Sequence, residues 1–336
     1  MKIAILGTGM IVKEAMAAIK QTDRWELAAI FARPRSKDKG EALAAEFGVP
    51  KVYTDYDELL KDEEIDFVYV GLVNSAHYQY AKDALMAGKN VICEKPFTST
   101  AAEAAELASL ANEKKLFLFE AVTLLHLPNF AAVKENLTKI GRVRLIQANY
   151  SQYSSRYDKY LAGSVAPAFD PMLSGGALYD INIYNLNFII ALFGRPAAVD
   201  YFGHIGFSGA DTSGAAVLRY GGFTAVSVGA KDSASPCFII IQGEKGYIRV
   251  EGAPNELKSV EVCAEGEITR HENNKHAHRM VHEFEEFADV YEKGDFATMA
   301  LWLTTSVQVM DAAELLRKSA GIKFAADGKE PNEMGD

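Results

Sequence analysis

A chain of 336 residues, 49% hydrophobic and 24% charged, has the composition of an ordinary globular protein but is long for one compact core, which predicts two domains. A formal charge of −10 excludes an extended phosphate-tracking surface, so nucleic acid is not an expected partner, although one basic pocket for a phosphorylated cofactor remains compatible. Three scattered cysteines, Cys93, Cys237 and Cys263, make neither a disulfide framework nor a metal knuckle; with no signal-peptide pattern and no apolar run of about eighteen residues, they predict a cytoplasmic protein with no membrane partner.

In chain order, strand-like runs at 2–6, 26–32, 67–70, 90–93 and 117–120 alternate with helical patterns at 11–20, 39–47, 56–60, 76–87 and 100–114. Strands without polar faces, separated by helices, predict a parallel sheet covered on both sides. The rhythm changes near residue 122. Strand patterns at 142–154, 197–206, 212–220, 224–230, 237–242, 246–251 and 259–264 follow, several divided by glycine turns such as Gly221-Gly222. One helix, 176–193, interrupts them, and two more, 280–293 and 298–319, come after. The expected fold is an α/β Rossmann domain over 1–122, a doubly wound parallel sheet, followed by an α+β domain over 123–336 with a large, mostly antiparallel sheet.

Gly7-Thr8-Gly9-Met10-Ile11-Val12 follows the first strand and opens a helix. Glycines here permit a tight turn and a close approach of backbone to pyrophosphate, which sits on the helix N-terminus. Gly7, Thr8, Gly9, Met10 and Ile11 are therefore cofactor-binding candidates. Val12 stands in place of the third glycine and weakens the fingerprint; a plain strand–turn–helix would differ little. The second strand ends in Ala32-Arg33-Pro34-Arg35-Ser36-Lys37, with no carboxylate for the ribose hydroxyls of NAD. An arginine fork suits a 2′-phosphate, so NADP is expected more than NAD. Arg33 is the first candidate, beside Ala32, with Ser36 and Lys37 as helpers; a solvated basic loop is the other reading.

A further strand leads into Cys93-Glu94-Lys95-Pro96, where ligands of such sheets bind. Together with Val73-Asn74-Ser75-Ala76-His77, Ala87-Gly88-Lys89-Asn90-Val91 and a later Gly175-Gly176-Ala177-Leu178-Tyr179-Asp180-Ile181-Asn182-Ile183-Tyr184, this order of motifs resembles the glucose–fructose oxidoreductase, inositol dehydrogenase and rhizopine catabolism family, Gfo/Idh/MocA. The resemblance covers almost the whole chain. It implies that Lys95 stands at the reacting carbon, that Glu94, Asn74 and His77 lie at the nicotinamide side, and that Asp180 binds substrate hydroxyls. It also implies that Tyr184 is the proton donor, as in the branch that resembles dihydrodiol dehydrogenase. Three departures concern the substrate: Asn182 replaces a small glycine, Val73 a frequent proline, and Leu125 stands where that branch often has arginine.

Asp180 and Tyr184, four apart, share one face of a helix. A tyrosine titrates at about 10 when unperturbed, and an adjacent ammonium favours its phenolate, so Lys95 and Tyr184 are expected to act as an acid/base unit. The expected activity is transfer of hydride between the nicotinamide and a carbinol or carbonyl carbon of a small sugar, polyol or cyclic diol, in a homodimer or homotetramer. The alternatives are a non-enzymatic NADP-binding regulator or redox sensor, and a transient oxidation within glycoside cleavage. His271, His276, His278 and His282 crowd one segment, but with no third ligand at a telling spacing no metal is expected.

Overall fold

The structure, a computed structural model, describes residues 1–328. It contains two compact units. The first comprises Met1–Ala121 and His278–Val307; the second comprises Val122–Ala277 and Gln308–Gly328.

In the first unit, β1 (Lys2–Leu6), β2 (Glu26–Phe31), β3 (Lys51–Tyr53), β4 (Phe67–Val70), β5 (Asn90–Glu94) and β6 (Leu118–Ala121) form a sheet in the order β3-β2-β1-β4-β5-β6. Every pair is parallel. Chain order reverses beside β1, which opens a crevice at the carboxyl ends of β1 and β4. Helices α1 (Met10–Ile19), α2 (Lys37–Phe47), α3 (Tyr56–Leu60), α4 (His77–Met86) and α5 (Ala101–Lys114) connect the strands. The apolar runs are buried because helices cover both faces: Ile3, Ile5, Val68 and Ile92 are all inaccessible. α5 starts at a capping box in which Thr100 and Glu103 satisfy each other's backbone N–H groups. β3 has no counterpart among the expected strands, because three half-buried residues at a sheet edge show no periodicity.

In the second unit come α6 (Pro128–Asn136), β7 (Val143–Ser151), α7 (Tyr157–Leu161) and α8 (Ile183–Phe193). They are followed by β8 (Ala198–Ile205), β9 (Asp211–Arg219), β10 (Thr224–Ala230), β11 (Phe238–Gly243), β12 (Gly246–Glu251), β13 (Ser259–Ala264) and β14 (Glu267–His271). The strands make an eight-stranded sheet in the order β14-β13-β12-β11-β7-β10-β9-β8. Only β7 and β10 pair in parallel. Ile146, Leu218, Ala225, Ile239, Ile248 and Val260 fill its inner face. β14, largely exposed, and α6, of mixed polarity, carried no signal in the sequence. The stretch Pro171–Phe193, mean hydropathy 1.2, is long and apolar enough to be weighed as a membrane span, but 78% of that window is buried inside the protein. It is a core segment, interrupted by Asp180, Asn182, Asn185 and Asn187.

The remaining helices, α9 (Met280–Glu292) and α10 (Phe296–Ser319), follow the second unit's sheet in the chain, yet α9 and the first half of α10 belong to the first unit. Phe284 and Phe287 of α9 pack edge-on or stacked against Trp25 and Phe119 at ring distances of 6.1 and 4.6 Å, and Trp302 of α10 lies 5.9 Å from Phe119. Burying that aromatic face on the parallel sheet returns residues 278–307 to the first unit.

Candidate active site

In the first unit the candidate residues lie on loops at the carboxyl ends of its strands. Gly7 has φ +112°, and a Cβ there would lie 2.6 Å from the Gly71 carbonyl oxygen, so the turn after β1 needs glycine. Val12 is buried, and the clearance it removes is restored from the other side: a Cβ on Gly71 would lie 2.6 Å from Val12 Cγ2. The imperfect fingerprint is thus a valine paired with a glycine across the contact. Gly9 caps α1 with no side-chain hydrogen bond, leaving the first N–H groups of the helix for an anion. Thr8 and Ile11 are half-buried, while Gly9 and Met10 are exposed.

At the end of β2, Ala32 is buried, Ser36 half-buried, and Arg33, Arg35 and Lys37 are exposed. Pro34–Ser36 form a short 3-10 turn leading into α2. Lys37 pairs with Glu41 at 3.6 Å one helical turn on. Arg33 and Arg35 make no ion pair among the described residues, so both guanidinium groups remain available to an anionic group. Arg35, which the sequence did not single out, is placed as openly as Arg33.

After β4, the turn Asn74–Ala76 presents half-buried Asn74 and leads into α4. His77 is almost wholly buried, its Nδ1 2.9 Å from the Pro96 carbonyl oxygen and its Nε2 3.2 Å from that of Leu72. Burial lowers its pKa from the ordinary imidazole value. Both nitrogens therefore face the protein's own backbone, and the ring braces the loop after β4 against the turn after β5.

That second turn carries Glu94 and half-buried Lys95, whose peptide bond to Pro96 is cis. Glu94 is buried and accepts hydrogen bonds from the Tyr69 hydroxyl at 2.5 Å and from the Lys95 N–H at 3.2 Å. Burial raises its carboxyl above the ordinary range, while Tyr69 and Lys95 oppose the rise. Glu120, in register with Cys93 on the neighbouring strand, is a second buried carboxyl. Its pKa is pushed up to about 7, chiefly by burial and further by Glu94; the Ser306 hydroxyl, the Phe97 N–H and Lys95 resist, and neither oxygen closes a regular hydrogen bond. Glu120 is not among the residues that the sequence offers as site candidates. Its burial depends on α10, which no local pattern reveals.

In the second unit, the segment before α8 is a single π-helical turn, Leu178–Asn182, the kind of irregularity that recurs at functional sites. Its N-terminus is anchored by buried Asp211, whose Oδ2 accepts from the Leu178 N–H at 2.7 Å and the Tyr201 hydroxyl at 2.6 Å. Gly176, at φ +139°, leaves room for this carboxylate: a Cβ would lie 2.1 Å from Asp211 Oδ1. Asp180 lies in the π-turn and Tyr184 in the first turn of α8, where its buried ring tilts against Tyr150 at 5.8 Å. Asn182 accepts from the Ser227 hydroxyl at 2.6 Å and from the Asn185 amide at 2.8 Å. It fits because Gly229 faces it, where a Cβ would lie 2.6 Å from Asn182 Cβ. The sequence missed Lys231, the residue after β10, which pairs with Asp180. A cation closing a strand was its only signal. His278 precedes α9 and His282 lies within it.

Two family models match the chain. The model described as the oxidoreductase family with an NAD-binding Rossmann fold matches residues 1–122, and that of the GFO/IDH/MocA C-terminal domain matches residues 130–249. The chain belongs to the GFO/IDH/MocA oxidoreductase family. Within it, scyllo-inositol 2-dehydrogenase (NADP+) IolU of Bacillus subtilis is 33% identical over 97% of this chain and 99% of its own length. Trans-1,2-dihydrobenzene-1,2-diol dehydrogenase of Oryctolagus cuniculus is 28% identical over 96% of this chain and 99% of its own. A 3-ketoreductase from Actinomadura kijaniata, solved with NADP and TDP-benzene, shares the fold at a TM-score of 0.82 and 22% identity, covering 96% of this chain and 98% of that one.

Proposed function

We propose that this family member is an NADP-preferring dehydrogenase or reductase acting on a carbinol or carbonyl carbon of a small polyol, sugar or cyclic diol. The reaction class rests on one observation above others: a π-turn and helix present a carboxylate, Asp180, and four residues on a phenol, Tyr184, with Asp180 ion-paired to Lys231. A carboxylate accepts hydrogen bonds from hydroxyl groups and a phenol passes a proton to or from an alkoxide, the two tasks that carbinol oxidation sets a protein. The NADP-dependent inositol dehydrogenase and the dihydrodiol dehydrogenase among its relatives act on hydroxylated rings, which favours that substrate class here.

We assign cofactor binding to the first unit and substrate binding to the second. Gly7, Thr8, Gly9, Met10 and Ile11 would take the pyrophosphate at the start of α1, and Arg33, with Ser36 and Arg35, the 2′-phosphate. Asn74, Glu94 and Lys95 would take the nicotinamide side, with His77 holding their loops. Bound nicotinamide supplies or accepts the hydride. Lys95 orients the reacting oxygen, Asp180 the neighbouring hydroxyl, and Tyr184 moves the proton. The half-exposed apolar face of the second unit's sheet, with Leu145, Val226, Ile240 and Tyr247, is the surface we assign to a homo-oligomer contact. Three free thiols fit a cytoplasmic setting.

Absorbance at the nicotinamide band, followed across a panel of inositols, sugars and cyclic diols, tests the reading. Turnover with NADP above that with NAD is expected, and Tyr184→Phe should lower kcat on the order of 100-fold with cofactor affinity unchanged. Tight NADPH binding without turnover on any member of the panel would refute the enzyme in favour of a sensor; an unchanged rate in Tyr184→Phe would remove that residue from proton transfer.

A further inference from the structure

The Asp180–Lys231 pair is asymmetric. The Lys231 side chain is 3% exposed and that of Asp180 31%. A buried ammonium is costly unless its donors and charge are answered. Lys231 is answered on several sides: its Nζ donates to Asp180 and, at 2.9 Å, to the Ala168 carbonyl, and it lies 4.4 Å from the centre of the Phe169 ring. Its backbone is fixed as well, the N–H donating to the Thr212 carbonyl at 2.8 Å. Asp211, on β9, also bears on it, but the Asp211 carboxyl is raised by burial and engaged by Tyr201 and the Leu178 N–H. Asp232, next in the chain, is taken up by the hydroxyls of Thr212, Ser213 and Ser233. The direct counter-ion is therefore Asp180. The sealed cation thus backs a carboxylate that stays partly open to solvent.

We infer that Lys231 is a positioning residue of the substrate site: from beneath, it keeps the Asp180 carboxylate ionised and aimed outward as an acceptor for a neutral substrate hydroxyl. The inference rests on the reading of Asp180 as the hydroxyl-binding residue. An opposite charge at contact distance favours the ionised carboxylate, so without Lys231 protonation of Asp180 would compete with hydroxyl binding at a higher pH.

Kinetics of Lys231→Met, Lys231→Gln, Lys231→Arg and Asp180→Asn against a turned-over polyol test this. Lys231→Met and Lys231→Gln (the second retaining a donor for the Ala168 carbonyl) are expected to raise KM on the order of tenfold. They should lower kcat less and move the acid limb of kcat/KM to higher pH, with NADPH affinity unchanged. Lys231→Arg should recover most of the loss, and adding Lys231→Met to Asp180→Asn should have little further effect on KM. If Asp180→Asn raises KM while neither neutral Lys231 variant moves KM or the acid limb, the inference fails and the reading of Asp180 stands. If Asp180→Asn leaves KM unchanged, the reading of Asp180 fails and takes the inference with it.

Discussion

Glu120→Gln isolates a buried carboxyl whose protonation is tied to folding. The Glu120 pKa is raised to about 7 from an ordinary 4.5, with burial the largest cause and the Glu94 charge adding to it. A displacement of that size is worth roughly 3 kcal/mol. Between those two pH values the folded protein holds a proton that the unfolded chain has released. The stabilising contribution is therefore complete below about 4.5, falls as pH rises, and is gone above about 7. Glutamine has the same shape and does not titrate. The difference in unfolding free energy between the native protein and Glu120→Gln should thus move in favour of the variant by up to roughly 3 kcal/mol from pH 4.5 to 8. Urea unfolding followed by the fluorescence of Trp25 and Trp302, both in the first unit, measures it across that range. A difference constant with pH would refute the assignment of a raised pKa to this carboxyl, whatever the absolute stability of either form.

Two further substitutions probe the cofactor end. Arg33→Ala should weaken NADPH roughly 10- to 100-fold, the worth of a charge-assisted hydrogen bond, and leave NADH nearly unchanged; equal losses in fluorescence titrations would show that the arginine does not read the 2′-phosphate. Val12 and Gly71 should behave as one contact: Gly71→Ala alone destabilises by about 1–3 kcal/mol through overlap with Val12 Cγ2, and Val12→Ala in the same chain recovers part of that loss. Strict additivity in denaturant unfolding would mean that the glycine is required for another reason.

Much of the architecture was legible in one dimension. Apolar runs such as Phe67–Val70, interleaved with helical periods, dictate a parallel sheet because only helices on both faces can bury such strands. The turn from Gly7 and the absence of a carboxylate after Ala32 are local facts, and local chemistry suffices to read them. The strand β3 and the helix α6 were illegible because three residues, or nine of mixed polarity, carry no period that stands above chance.

What the sequence determined by itself is the identity and spacing of the chemical groups: the glycine turn, the cations after β2, Lys95, and Asp180 with Tyr184 four residues on. What only the tertiary structure decided is their environment. Val12 and Asn182 look like defects until Gly71 and Gly229 are found facing them across packed elements. His77 reads as a ligand until both nitrogens meet backbone carbonyls, and Lys231 goes unnoticed until its ammonium is buried beneath Asp180. Burial and charge pairing join residues dozens of positions apart, and a chain read in order contains no record of which of them will touch.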